Sequence, residues 1–546
     1  MQEWSLLFLV LETLKTNLCE MKVFGLAGHS SCQHSMGWFD KQFMKFIGID
    51  VGTSSIKALL VDSCGKVLAS SNPEYPFQTP APLQAETDPE VWWEATCKAL
   101  KELLKDVEPE SIAGIGLTGQ MHGLVIIDAH GQVLRPCIMW NDQRSFKECE
   151  EMTELLGEAE VLRLTGNPIL AGFTAPKLRW VEKNEPEVFS KISKVLLPKD
   201  YIRYRLTGEF FSEVSDASGT SMLNVGERKW SDEILSGMGW SKDWLPELTE
   251  STIASTKISP DASFQTGLST GTPVVAGGGD QAAQAVGCGI VREGMVSATL
   301  GTSGVVFAQS DQYRVEPEGK LHAFCHAVPG KWHLMGVMLS AAGSFQWYKN
   351  HLGREEQSVE DGGGENAYEL LTQSAEQVAV GCEGLVFLPY LSGERTPHPD
   401  PHARGAFVGL TLRHSKAHLT RAVLEGVSYG LKDSLSLMQG LGIRPDKVIL
   451  SGGGARSSLW KQMLADIFES PCSLVNAREG AAYGAALLAS VGCDHFSSVE
   501  EASDSWIKET ELVEISSNPS KYHKNYKIYQ NLYPRLKESF RELSAE

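Results

Sequence analysis

Positive charge is scarce in this chain. Its 546 residues carry 49 Lys and Arg against 68 Asp and Glu, a formal net charge of −19. That balance excludes an extended nucleic-acid or anionic-membrane surface, although one pocket can still be locally positive. Paired cysteines are missing too. The 11 cysteines include no C-x-x-C, which excludes a zinc ribbon and a redox dithiol, and their odd, scattered count fits a reducing cytoplasm. No apolar run reaches the length of a transmembrane helix. The short run over residues 4–11 lies between Glu3 and Glu12 without a basic leader, so it reads as neither a signal peptide nor an anchor. Three Glu and no Arg also weigh against a transit peptide, so residues 1–44 read as a dispensable N-terminal extension or an upstream start, and folding is expected to begin near Lys45.

What is present points to a soluble α/β enzyme. A hydrophobic content of 42% with 52 glycines is ordinary for that class, and the length calls for two large domains. "FIGIDVGTSSIKALLVD", residues 46–62, reads as strand, glycine turn, strand. Its Gly, Thr and Ser have the character of a phosphate cradle, because backbone N–H groups and short hydroxyls can surround an anion. This turn has no Lys after the glycine, as a P-loop requires, and no G-x-G-x-x-G. Strands are expected over 46–50, 56–62 and 66–70, a helix over 89–104, and a strand over 112–117 that ends in "TGQMHG". Three adjacent strands followed by helix–strand units give a mixed sheet.

"MVSATLGTSGVVFAQS", from Met295, repeats the pattern of strand, Gly-Thr-Ser turn and strand. Beyond it, a helix is expected over 418–438, a strand over 447–450, and a glycine-rich passage into a helix at "SGGGARSSLWKQMLADIF". Residues 355–366, "EEQSVEDGGGEN", read as an exposed acidic loop, and Tyr522, Tyr526, Tyr529 and Tyr533 as a core-packing helical stripe. Two lobes, 45–290 and 291–546, each opening with such a hairpin, suggest a nucleotide clamped between them. Gly52, Thr53 and Ser54 would hold its phosphates from one side, and Gly301, Thr302 and Ser303 from the other. Asp50 would hold Mg²⁺ directly or through water, since that ion favours a carboxylate with water and phosphate oxygens. The alternative is two ordinary Gly/Ser hairpins.

Longer motifs carry a resemblance. "GFTAPKLRWVEKNE" (172–185) and "GAFVGLTLRHSKAHLTRAVLEG" (405–426) resemble the two signatures of the FGGY carbohydrate kinases. "LRPCIMWNDQR", "LLPKDYIRYRLTGE", "VVAGGGDQAAQAVG", "LPYLSGERTPH" and "EGAAYGAALLAS" are similar to the branch of that family that phosphorylates the pentulose D-xylulose. The resemblance runs in order from about residue 45 to the tail. It implies the actin/hexokinase/Hsp70 fold, two RNase H-like domains with mixed sheets around a cleft, and ATP with Mg²⁺ as cofactors. It also implies a small-molecule sugar partner, no nucleic acid or membrane, and a monomer or homodimer.

The same resemblance implies roles. Asp280, after the glycines of "AGGGDQ", matches the catalytic base, which orients the attacking hydroxyl and takes its proton. Met121 and His122 match the sugar contact, Met121 as an apolar wall and neutral His122 as a donor to one sugar oxygen. Gln281 offers an amide to a further hydroxyl. Gly453 and Gly454 resemble the adenosine loop. Asp142 and Arg144 either support the sugar pocket or form a structural pair, and the helix in "EGAAYGAALLAS" either approaches the nucleotide or makes a tight helix contact. The expected product is D-xylulose 5-phosphate. The rivals are a kinase for ribulose, sedoheptulose or glycerol, and a non-catalytic actin-like nucleotide-binding protein. Met121 and His122 argue against glycerol, because glycerol kinases carry a charged pair there.

Overall fold

The computed structural model describes residues 44–476 and 480–544, so all of the expected extension except Met44 lies outside it. Two sheets organise these residues. The first contains β1 (Lys45–Val51), β2 (Ile56–Asp62), β3 (Val67–Ser71), β4 (Ile112–Gly119), β5 (Thr256–Lys257) and β6 (Pro273–Gly279), in the order β5-β6-β4-β1-β2-β3. β1, β2 and β3 pair antiparallel, whereas β4 and then β6 add parallel to β1. The second contains β7 (Met295–Leu300), β8 (Gly304–Ser310), β9 (His322–Cys325), β10 (Trp332–Met338), β11 (Lys447–Ser451), β12 (Cys472–Val475) and β13 (Glu509–Val513). Its order is β9-β10-β8-β7-β11-β12-β13, again with an antiparallel hairpin, β7 and β8, beside parallel additions β11 and β12. The two Gly-Thr-Ser hairpins therefore hold equivalent places in two sheets of like topology.

Both faces of each sheet are covered, which is why the central strands read as near-continuous apolar runs. In β1, Phe46 packs to one side while Ile47, Ile49 and Val51 pack to the other, all fully buried. Helices α1 (Pro89–Leu103) and α2 (Pro198–Thr207) cover the outer face through Trp92, Leu100, Tyr201 and Ile202. Asp88 caps α1 by accepting from the Glu90 N–H at 3.0 Å, and Pro89 sits at the first helical position. The second sheet packs against α3 (Lys416–Gly440) and α4 (Ser458–Phe468) through Val423, Val427, Leu431 and Trp460. The tyrosine stripe serves this core as expected. Tyr522, Tyr529 and Tyr533 are buried, and the last two lie on helix α5 (His523–Leu543).

Between the sheets lie α6 (Asp280–Gly287), which follows β6, and α7 (Gly480–Gly492), the helix of small residues. α7 sits on Gly48 of β1 and Gly116 of β4, where an added Cβ would come within 1.9 Å of helix carbonyls. Its own Gly484 meets α6 in the same way, 1.8 Å from the Ala283 carbonyl. So the helix makes the tight contact, with its neighbour and with the first sheet. It belongs by sequence to the stretch 291–546, yet with α8 (Val499–Trp506) it builds the core behind Phe46, Leu59 and Val61. One expectation is corrected. The acidic segment over 355–361 is not a loop but helix α9 (Arg354–Asp361), with no residue buried, and only 362–366 form the expected exposed loop. Lys416 pairs with Glu356 at 2.6 Å, which offsets part of the acidic repulsion. No helix among the described residues is long and apolar enough to cross a membrane.

Candidate active site

β1, β4 and β6 run parallel and end along one edge, where Val51 pairs with Gly119 and Gly119 with Gly279. Three distant motifs meet there: Asp50 and the first turn, Met121 and His122, and Asp280 with Gln281. A register slip in β6 between Val275 and Gly278 re-aims its end. Gly277 at the slip has φ +78°, and a Cβ would lie 1.7 Å from the Leu117 carbonyl, so only glycine fits. Gly279 lies against Met121, whose side chain would sit 3.1 Å from a Cβ there. Asp280 then opens α6.

The edge carries two half-buried carboxyls, and the charge of one, Asp50, raises the other, Asp280. Asp280 is pushed up to about 7, first by burial and then by Asp50, against the pull of hydrogen bonds from Gln281, whose N–H donates to Oδ1 at 2.7 Å. The Gln281 side chain also lies near enough to Asp280 to lower it. Asp50 is raised to about 6 by burial, with Lys57 opposing, and its buried Oδ1 accepts no hydrogen bond. The turn after it is tied from outside. The Gly52 carbonyl accepts from Tyr75 Oη at 2.6 Å and Gln120 Nε2 at 3.0 Å, and Thr53 Oγ1 accepts from Trp140 Nε1 at 3.0 Å. Thr53 and Ser54 N–H donate to no group among the described residues. Tyr75 lies in no quoted motif, and although Gln120 and Trp140 lie in "TGQMHG" and "LRPCIMWNDQR", their role rests on partners 68 and 87 residues away.

His122 is held from three sides. Its backbone is left-handed, φ +72°, and its carbonyl accepts from Lys177 Nζ at 2.9 Å and Thr174 Oγ1 at 3.1 Å. Its ring stacks on Phe173, with centroids 4.5 Å apart. Nδ1–H donates to the Gly219 carbonyl at 2.7 Å, while burial, then Lys177, hold the ring neutral with a pKa near 3. This reverses the expected role. With its proton on Nδ1, the neutral ring presents a bare lone pair at Nε2 and accepts from a hydroxyl. Lys177 is fully buried and donates only to carbonyls, the second being that of Gly172 at 2.6 Å, and burial lowers it to about 7. It sits in the quoted 172–185 signature, but its reach across 55 residues to His122 is a tertiary fact. Asp142 and Arg144 resolve as a structural pair. The guanidinium bonds both Asp142 oxygens at 2.7–3.0 Å and Glu86 at 2.6 Å, while Asp142 holds the Ala85 N–H at 2.7 Å.

On the second sheet, Gly301 and Thr302 face Gly453 and Gly454 across a cavity of about 760 Å³. Phe345, Tyr368 and Trp460 give it apolar wall, and Asn366, Gln373 and Arg456 give it polar groups. Ser303 lies exposed outside this lining. Gly301 and Thr302 carbonyls are taken by the N–H groups of Ala341, Ala342 and Gly343 at 2.9–3.1 Å. Gly452 has φ +85° and passes close to the Leu300 carbonyl, which carries the chain from β11 back over β7. An apolar-walled slot with a few polar groups suits a purine nucleoside. Among the described residues no group of three or more His, Cys, Asp or Glu forms a metal cage.

Known proteins resemble the chain along almost its whole described length. The profile of the FGGY family of carbohydrate kinases, N-terminal domain, matches residues 45–287, and that of the C-terminal domain matches residues 296–493. The xylulose kinase of Escherichia coli strain K12 is 42% identical over 492 residues, covering 90% of this chain and 99% of that one. The xylulose kinase of Bacillus subtilis strain 168 is 39% identical, covering 91% and 98%. A solved ligand-bound xylulose kinase from Lactobacillus acidophilus superposes with a TM-score of 0.85 at 27% identity, covering 92% of this chain and all of that one. With both lobes, both glycine hairpins and both signatures matched, this chain belongs to the FGGY family of carbohydrate kinases.

Proposed function

We propose that the protein transfers the γ-phosphoryl group of ATP to the primary hydroxyl of D-xylulose, giving D-xylulose 5-phosphate and ADP. The observation that carries this is the meeting of Asp280 with Met121 and His122 at one strand edge, on a chain 42% and 39% identical to two xylulose kinases. Asp280 takes the hydroxyl proton, the oxygen forms its bond to the γ-phosphorus, and the bond to the ADP oxygen breaks. A base near pH 7 is well matched, being ionised often enough to act yet basic enough to accept a proton. Gln281 keeps the carboxylate oriented. His122 accepts from a sugar hydroxyl, and Met121 supplies the apolar wall. The unpartnered N–H groups of Thr53 and Ser54 face the phosphates from the first lobe, the 301–303 turn faces them from the second, and Gly453 and Gly454 flank the adenosine. The orphaned Oδ1 of Asp50 fits a single-carboxylate hold on Mg²⁺, whose remaining ligands would be water and phosphate oxygens. When bound, that ion screens the phosphate charge.

An ADP-release assay across ketoses, pentitols and glycerol tests the reading. D-xylulose is expected to give the highest kcat/KM. A clearly higher value for ribulose or glycerol would reject the substrate while leaving the kinase intact. ATP consumption indifferent to every sugar would reject the kinase.

A further inference from the structure

The sugar end of the site is not built from the first lobe alone. Phe173, which stacks on His122, lies in one apolar cluster with Phe324 and Met335 of the second sheet, and Val337 packs against it. Val337 is bonded on both sides to Thr396: its N–H donates to Thr396 Oγ1 at 3.1 Å, and its carbonyl accepts from the Thr396 N–H at 3.0 Å. Thr396 Oγ1 also donates to the Lys320 carbonyl at 2.9 Å, two residues before His322. Thr396, and with it the backbone of Arg395, is thus held against Val337 and the residues leading to His322. The buried Glu394 accepts from the Arg395 and Leu339 N–H groups at 2.8 and 2.9 Å, so the backbone at this point is rigid. The side chain of Arg395, an exposed residue, makes no hydrogen bond or ion pair among the described residues, and partial burial lowers its guanidinium against the pull of Glu394.

Resting on the sugar-kinase reading, we infer that Arg395 of the second lobe completes the pocket by donating to the C2 carbonyl oxygen of an open-chain ketose, whose neighbouring C1 hydroxyl donates to Nε2 of His122. The chemistry of the substrate requires such a partner. A 2-ketopentose closes its furanose ring only through O5, the oxygen to be phosphorylated, so the reacting form is open and its carbonyl uncovered. An α-hydroxyketone presents one donor and one acceptor side by side. His122 supplies a lone pair and Arg395 an N–H fork, and neither alone distinguishes ketose from polyol. The Arg395 charge also reaches both rings, holding His322 down next after burial and adding to burial and Lys177 at His122.

Arg395→Gln and Arg395→Lys test this against D-xylulose and the two pentitols formed by reducing its carbonyl, xylitol and D-arabinitol. For Arg395→Gln, the KM for D-xylulose should rise about 10- to 100-fold, the range for one charge-assisted hydrogen bond. The KM for ATP, and the dissociation constant of either pentitol measured by calorimetry, should change less than about threefold. Arg395→Lys should fall between, because an ammonium donates without the planar fork. An unchanged D-xylulose KM in Arg395→Gln, or an equal loss for ketose and pentitols, overturns the assignment. If the unmodified protein phosphorylates no ketose at all, the sugar-kinase reading fails and this one falls with it.

Discussion

Asp50 and Asp280 leave strands on either side of β4, and the charge of Asp50 makes ionisation of Asp280 harder. Asp280 must be ionised to act as base, so kcat/KM for the sugar should climb with pH and level off above about 7. Asp280→Asn keeps the shape but not the proton acceptor, and turnover at saturating sugar should fall about 10²–10⁴-fold with far smaller changes in either KM. The same shift has a consequence for stability. The folded carboxyl binds its proton more tightly than the unfolded one, at 3.8, so its contribution is fully present below that pH and is lost as pH rises through about 7. Asp280→Asn should therefore melt above the unmodified protein at pH 8, by on the order of 2 kcal/mol, and the gap should narrow at pH 5. A normally folded variant with near-normal turnover removes Asp280 from the mechanism. Asp50→Asn probes the pair from the other side. Its activity should need more Mg²⁺, and the acid limb of its pH profile should move to lower pH, because the charge that raises Asp280 is gone. An unmoved acid limb would uncouple the two groups.

The element that sets Asp280 in place is α6, and α6 is backed by α7. Gly484→Ala would place a methyl 1.8 Å from the Ala283 carbonyl, so one helix must move. The expected cost is about 1–3 kcal/mol in stability, with a fall in kcat larger than any rise in KM, since the base shifts but the sugar contacts do not. Unchanged kcat in a destabilised variant would show that α7 supports the fold without positioning the base. This contact also marks where the sequence stops being legible. The hairpins could be read because strand period and glycine turns are local: 56–62 was bounded correctly, and β1, β3 and α3 to within two residues. Asp142 with Arg144 could not be decided, because the partner that settles their role, Glu86, is 58 residues away from Arg144. The direction of the His122 hydrogen bond depends on Gly219, 97 residues on. α9 was missed because an acidic run without an apolar stripe looks like a loop, and its ion pairs to Lys416 come from a helix 60 residues away. That α7 serves the other lobe's sheet leaves a trace only in Gly48 and Gly116, whose reason is the helix lying on them.

At the scale of the whole molecule, the proposed site draws on both lobes for each substrate. The two Gly-Thr-Ser turns belong to β1 with β2 and to β7 with β8, on different sheets, and the rings of His122 and Phe173 meet those of Phe324 and His322. A cleft open enough to admit ATP also admits water, and water would then compete with the sugar for the γ-phosphoryl group. Closure on both substrates removes that competitor and brings the second turn onto the phosphates held by the first. Small-angle scattering should show a smaller radius of gyration with D-xylulose and a non-hydrolysable ATP analogue together than with neither. Sugar alone should produce part of the change, because its contacts already span the lobes, and Arg395→Gln should lose that part while the analogue still acts. A radius that stays constant with both ligands bound would mean the lobes are fixed, and water would then have to be excluded by the stacked aromatic wall alone. In that case basal ATP hydrolysis without sugar should be as slow in Phe324→Ala as in the unmodified protein only if the wall, too, plays no part.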